Sequence, residues 1–198
     1  MIRIGILGDI GSGKSYVSKI FGYPVFNADE EVSKLYKKDK KNFFKLKKKL
    51  PKFIHKFPIE KNEISKAIIS NKVNLKKIIK IIHIEIRKKM DIFLKKNKTK
   101  KIVILDIPLL LENKINKKTD ILIFVKSKKK DILKRLRKRK NFNYLLLKKF
   151  RKLQLPLDYK MQSSHFIINN DFKDQTIKKY VKILKKYSSS RVVLRYGF

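Results

Sequence analysis

The chain has no cysteine and no tryptophan, few glycines (6) and prolines (5), and only 16 acidic residues against 54 lysines and arginines. Without cysteine there is neither a disulfide framework nor a thiolate-bound metal. No apolar run approaches the roughly 20 residues needed to cross a bilayer. The N-terminus enters a strand-like Ile2-Arg3-Ile4-Gly5-Ile6-Leu7 at once and does not read as a leader peptide. The expectation is therefore a cytoplasmic protein with no membrane partner. The shortage of acids leaves a formal net charge of +38, which should attract polyanions, nucleotides included, with strong salt dependence. Two accounts of that charge stay open: a nucleic-acid surface, or the codon bias of an AT-rich genome, which enriches lysine, isoleucine and asparagine together. The lysines are scattered and no nucleic-acid module is recognisable, so no specific nucleic-acid partner is expected.

What is present suffices for a core. The chain has 198 residues, 42% of them hydrophobic, enough for one compact domain. Strands are predicted at Ile2–Leu7, Tyr23–Asn27, Lys101–Leu105 (ending at Asp106), Asp120–Val125 and Phe166–Asn169. Helices are predicted from Lys14 to near Gly22, Ala28–Lys38, Glu63–Asn71, Asn74–Asn97, Lys128–Lys140 (with Ser127 as N-cap), Asn143–Leu155 and Lys173–Tyr187, with a further helix opening at Pro156. In the long fourth one, Ile78, Ile79, Ile82, Ile86 and Met90 recur at helical spacing. Residues 39–58, rich in lysine, carry no assignment. Strands alternating with helices argue a parallel α/β sheet.

The strongest local signal is Gly8-Asp9-Ile10-Gly11-Ser12-Gly13-Lys14-Ser15. It satisfies the Walker A pattern, with a strand before it and a helix after it. Glycines at 8, 11 and 13 let backbone N–H groups close around phosphate oxygens. Lys14 supplies a charge to the β- and γ-phosphates, the Ser15 hydroxyl can ligate Mg²⁺, and the following helix adds its positive end. ATP and Mg²⁺ are the expected cofactors.

The motifs beyond the loop, in order, resemble those of the dephospho-coenzyme A kinases, from residue 2 to about residue 171. They are Val25-Phe26-Asn27-Ala28-Asp29, His83-Ile84-Glu85-Ile86-Arg87, Asp106-Ile107-Pro108-Leu109-Leu110-Leu111-Glu112, Arg135-Leu136-Arg137-Lys138-Arg139, Gln154-Leu155-Pro156-Leu157-Asp158-Tyr159-Lys160 and Ile167-Ile168-Asn169-Asn170. The resemblance implies a three-layer α/β/α P-loop fold with a five-stranded parallel sheet, a helical substrate-binding section and a lid. It implies one kinase domain over 1–187: a core of about 1–38, 101–135 and 165–187, a substrate section of about 39–100, and a lid of about 136–160. Residues 188–198 would form a tail. The implied reaction is ATP-dependent phosphorylation of the ribose 3′-hydroxyl of dephospho-CoA by a monomer or weak homo-oligomer.

The resemblance also implies roles. Asp29 would accept the proton of the attacking hydroxyl, although the first turn of a helix favours a carboxylate on purely structural grounds. Lys14 and the lid residue Arg139 would neutralise the transferring phosphate. Asp106 would hold Mg²⁺ through water together with Ser15. Tyr16 and Asn170 would join Gly8, Gly11, Ser12, Gly13, Lys14 and Ser15 in binding ATP, while Asp29, His83, Arg87 and Arg135 would contact the acceptor. Arg135 and Arg139, four apart, would share one helix face. The sequence departs from the family at Leu7 and Asp9, where a threonine and a small residue are frequent, at Asn27 (an acid), Ile84 (a proline) and His165 (an aspartate). Asp9 would place a carboxylate at the loop's mouth, opposing incoming phosphates. Two other readings stay open, a P-loop kinase for a different nucleotide-like acceptor and a nucleic-acid-binding protein.

Overall fold

The computed structural model describes residues 1–140 and 142–189. The chain forms two compact units. Of the described residues, one unit comprises 1–27, 97–143 and 150–189; the other comprises 28–96 with 144–149.

The first unit is built on a five-stranded, all-parallel sheet in the order β2-β3-β1-β4-β5. Its strands are β1 (Ile2–Gly8), β2 (Val25–Asn27), β3 (Ile102–Asp106), β4 (Ile121–Lys126) and β5 (Phe166–Asn169). β1 and β3 are buried almost throughout, as parallel strands covered on both faces must be. Alternate residues Ile4, Ile6, Ile104, Ile123 and Val125 pack with Val17 of α1 (Lys14–Ile20), with Phe21 at its C-cap, and with Ile177, Val181 and Leu184 of α9 (Asp174–Ser189). Gly5 points the other way, where Leu110 and Leu122 occupy the space a Cβ would need. α6 (Lys129–Arg137) and α8 (Leu157–Gln162) complete this unit, with α8 against β1. The buried Arg3 guanidinium donates to Asp120 Oδ2 at 2.9 Å and to Ile115 O at 3.1 Å, tying β1 to the turn before β4.

The second unit is helical: α2 (Ala28–Lys38), α3 (Lys40–Lys49), α4 (Lys61–Ser70) and α5 (Lys72–Lys96), with α5 packed against the other three. Leu75, Ile78, Ile82, Ile86 and Met90 form the buried stripe of α5, a helical repeat of three and four. α2 carries Asp29, Glu30 and Glu31 in its first turn and Lys37 and Lys38 in its last, matching the helix dipole at both ends. In sequence α7 (Tyr144–Arg151) is divided between the units. Among the described residues no helix is long and apolar enough to cross a membrane.

The five strands and their parallel arrangement agree with the sequence reading; several helices differ. α3 fills much of the unassigned 39–58 stretch. Asp39 caps it, accepting from Asn42 N at 3.0 Å, and Phe43, Leu46 and Leu50 are buried along it. Ser127 is not the N-cap of α6: that position is Lys128, and the Ser127 hydroxyl donates to Ser12 O at 3.0 Å. α6 stops at Arg137, so Arg139 lies beyond it and the expected shared helix face with Arg135 does not form. α9 runs to Ser189, through the first residues of the expected tail; the rest of that tail, 190–198, lies outside the described residues.

Candidate active site

The phosphate loop connects the carboxyl end of β1 to α1, where ligands of open α/β sheets bind. Its glycines are required by the backbone. Gly8 has φ 144°, and a Cβ there would lie 2.6 Å from Val125 O and 2.7 Å from Ser12 Oγ. Gly13 is the N-cap of α1 in the left-handed region at φ 95°, and a Cβ would collide with the Asn170 amide. The Lys14 ammonium is buried and donates to Gly8 O at 3.1 Å and Asp9 O at 2.8 Å. Ser15 and Tyr16 are exposed in the first turn of α1.

The loop is braced from two neighbouring strand ends. Ser12 O accepts from Ser127 Oγ, just past β4, and from Asn170 Nδ2 at 2.7 Å, just past β5. Asn170 Oδ1 in turn accepts from Phe172 N at 2.8 Å. Asn170, expected among the ATP-binding residues, therefore commits its amide to holding the loop. Arg135 joins the same corner, its guanidinium 4.3 Å from the centre of the Phe172 ring. Arg139 is exposed in the turn after α6.

Asp106 ends β3, next to β1 in the sheet, and is buried. Its Oδ2 accepts from Asn27 Nδ2 at 2.8 Å, and the two residues are register partners of β3 and β2. The amide that stands in place of an acid thus donates to the carboxylate, where a second acid would repel it.

Two charge pairs escaped the sequence reading. Asp9 does not stand open at the loop's mouth: Arg151, the last residue of α7, grips its carboxylate with Nη2 at 2.7 Å and Nε at 3.3 Å. The open carboxylate expected at the loop's mouth is instead a paired one. Glu112, at the end of the Pro108–Glu112 stretch, accepts from Leu155 N at 2.9 Å and lies 2.6 Å from the buried Lys160 ammonium of α8. It anchors both ends of the Leu155–Lys160 segment. No local signal marks these partners, which are 142 and 48 positions apart in a chain with 54 basic residues.

The remaining expected residues lie in the helical unit. Asp29 is exposed in the first turn of α2. His83 is half-buried on α5, one turn before the exposed Arg87. Burial, and after it the charge of Arg87, hold the His83 imidazole below its ordinary range, so it is neutral at pH 7.

The dephospho-CoA kinase family model matches residues 2–175. A dephospho-CoA kinase from Wolbachia sp. subsp. Brugia malayi is 32% identical over 184 residues, which cover 90% of this chain and 94% of that protein. Another, from Bacillus thuringiensis subsp. konkukian, is 29% identical over 197 residues, covering 94% and 98%. The fold is similar to that of the solved dephospho-CoA kinase from Campylobacter jejuni, with TM-score 0.63 at 20% identity over 94% of this chain and 96% of that one. A Walker loop at the centre of a five-stranded parallel sheet, in a chain so extensively matched, has one placement: the chain belongs to the dephospho-CoA kinase family.

Proposed function

We propose that this kinase transfers the γ-phosphate of ATP to the ribose 3′-hydroxyl of dephospho-CoA, giving coenzyme A and ADP, the last step of coenzyme A synthesis. The observation that carries the reading is the phosphate loop, built at the carboxyl end of β1 and braced by Ser127 and Asn170, in a chain whose family match runs from residue 2 to 175.

In this reading the 3′-oxygen forms a bond to the γ-phosphorus, the bond from that phosphorus to the β,γ-bridging oxygen breaks, and the hydroxyl proton passes to Asp29. The backbone N–H groups of Gly8–Ser15 hold the phosphates. Lys14 exchanges its carbonyl partners, Gly8 O and Asp9 O, for phosphate oxygens. Mg²⁺ takes oxygen ligands and keeps several waters, using one or two protein groups plus substrate phosphates. The Ser15 hydroxyl and, through water, the Asp106 carboxylate are donors of that kind, and the Asn27 amide orients Asp106. Held there by Ser15 and Asp106, the ion would supply positive charge to neutralise the transferring phosphate. Arg139 adds positive charge from the segment after α6. Tyr16 borders the nucleotide, and Asn170 supports it through Ser12. Asp29, His83, Arg87 and Arg135 serve the acceptor, a reading that rests on their places in the family's motifs.

The test is a steady-state assay of ADP release with ATP, Mg²⁺ and dephospho-CoA, run beside nucleoside monophosphates as rival acceptors. Dephospho-CoA should be preferred, and Lys14→Ala should lose most turnover while keeping the native circular dichroism. Preference for a nucleoside monophosphate would replace the acceptor but keep the loop's role.

A further inference from the structure

Asp9 is an acid inside a loop whose task is to receive a polyanion. Its side chain is 8% exposed, Oδ1 accepts from Ile10 N at 2.6 Å, and its carbonyl accepts from Ser12 N at 3.1 Å and Lys14 Nζ at 2.8 Å. The residue is woven into the loop by its carbonyl, and its carboxylate cannot swing away without breaking the Ile10 N bond. The only cation paired with that carboxylate among the described residues is Arg151, which grips both oxygens in a two-pronged contact. Such a fork fixes the guanidinium as well as neutralising the acid. Arg151 is the more open partner, with its side chain 36% exposed.

We propose that Arg151 is a positioning residue of the donor site: by cancelling the Asp9 charge it makes the phosphate loop able to accept the triphosphate, and so sets the affinity for ATP. The inference rests on the reading of Gly8–Ser15 as the ATP loop. Without Arg151, Asp9 would present a fixed negative charge inside the loop that receives the phosphates, where repulsion is only partly screened. Arg151 thus acts through Asp9, and its removal should matter only while Asp9 is charged.

The experiment measures the dissociation constant of ATP by titration calorimetry for the native chain, Arg151→Met, Arg151→Lys, Asp9→Asn and the Asp9→Asn/Arg151→Met double variant, with melting curves for each. Arg151→Met should weaken ATP binding by roughly ten- to a hundredfold, as expected for one uncompensated charge close to the phosphates. Arg151→Lys should fall between it and native. The double variant should recover to within about threefold of native, because the repelling charge is gone. The ratio of Arg151→Met to native should also narrow as salt rises. A pair that only holds α7 in place would lower the melting temperature in all four variants with no rescue of ATP binding. That result, or normal ATP binding by Arg151→Met, overturns the proposal and leaves the loop's role intact. Failure of the native chain to bind ATP would overturn both.

Discussion

Replacing Lys160 by methionine isolates the energetics of the buried Glu112–Lys160 contact. The two side chains are 9% and 1% exposed and their charged atoms lie 2.6 Å apart. Glu112 Oε2 and Lys160 Nζ have no aligned hydrogen-bond partner among the described residues, so the contact is chiefly ionic. Removing one member of a buried pair strands the other charge, which costs about 3–5 kcal/mol. In a chain of this size that lowers the melting temperature by roughly 6–20 °C. The Glu112→Gln/Lys160→Met variant keeps an acceptor for Leu155 N but carries no buried charge. It should lie within about 2 kcal/mol of native, more stable than Lys160→Met alone. Urea unfolding followed by circular dichroism, with the slopes compared across variants, reads both quantities. A Lys160→Met cost below about 1 kcal/mol, or a double variant no better than the single, would show that no charge is stranded at this contact.

Three further outcomes are expected. Asp29→Asn should reduce turnover by about 10²–10⁴ while ATP binding survives; loss of both would assign Asp29 a structural role. Ser127→Ala removes a donor from Ser12 O and should cost about 0.5–1.5 kcal/mol in unfolding experiments; no change would mean that water replaces the bond without loss. His83 has a folded pKa held below the ordinary 6.5 by burial and then by Arg87. The unfolded chain therefore takes up this proton first as pH falls. Stability referred to the neutral imidazole is intact above 6.5 and is lost as pH falls toward the folded pKa. His83→Asn should flatten that part of the profile, and an unchanged slope would contradict the assigned cause.

The sheet was legible because each strand is a run of apolar, mostly β-branched residues ended by Gly, Asn, Asp or lysine, and the loop because no other common element needs Gly8, Gly11 and Gly13 in that spacing before Lys14. α3 was hidden by its lysines, which leave only Phe43, Leu46 and Leu50 to mark the buried side. The end of α6 was hidden for a related reason. Lysine and arginine are good helix formers, and the run through Lys140 contains no glycine or proline to show that the helix stops at Arg137. Ser127 illustrates a different limit: a serine before a helix is a fair cap by local rules, but its partner Ser12 is 115 positions away. The Asp9–Arg151 and Glu112–Lys160 pairs are of the same kind, since any acid in this chain has dozens of candidate cations and only the fold selects one.

In the proposed reaction the phosphate goes from ATP to one hydroxyl of one acceptor. Phosphorus NMR and mass spectrometry of the product formed from dephospho-CoA, ATP and Mg²⁺ read that transfer at the atom concerned. A single product is expected, heavier by one phosphoryl group and carrying a monoester on the ribose 3′-oxygen, with one ADP for each molecule formed and none made by Lys14→Ala. A folded, ATP-binding chain that leaves dephospho-CoA unchanged, or phosphorylates it elsewhere, would contradict that reaction.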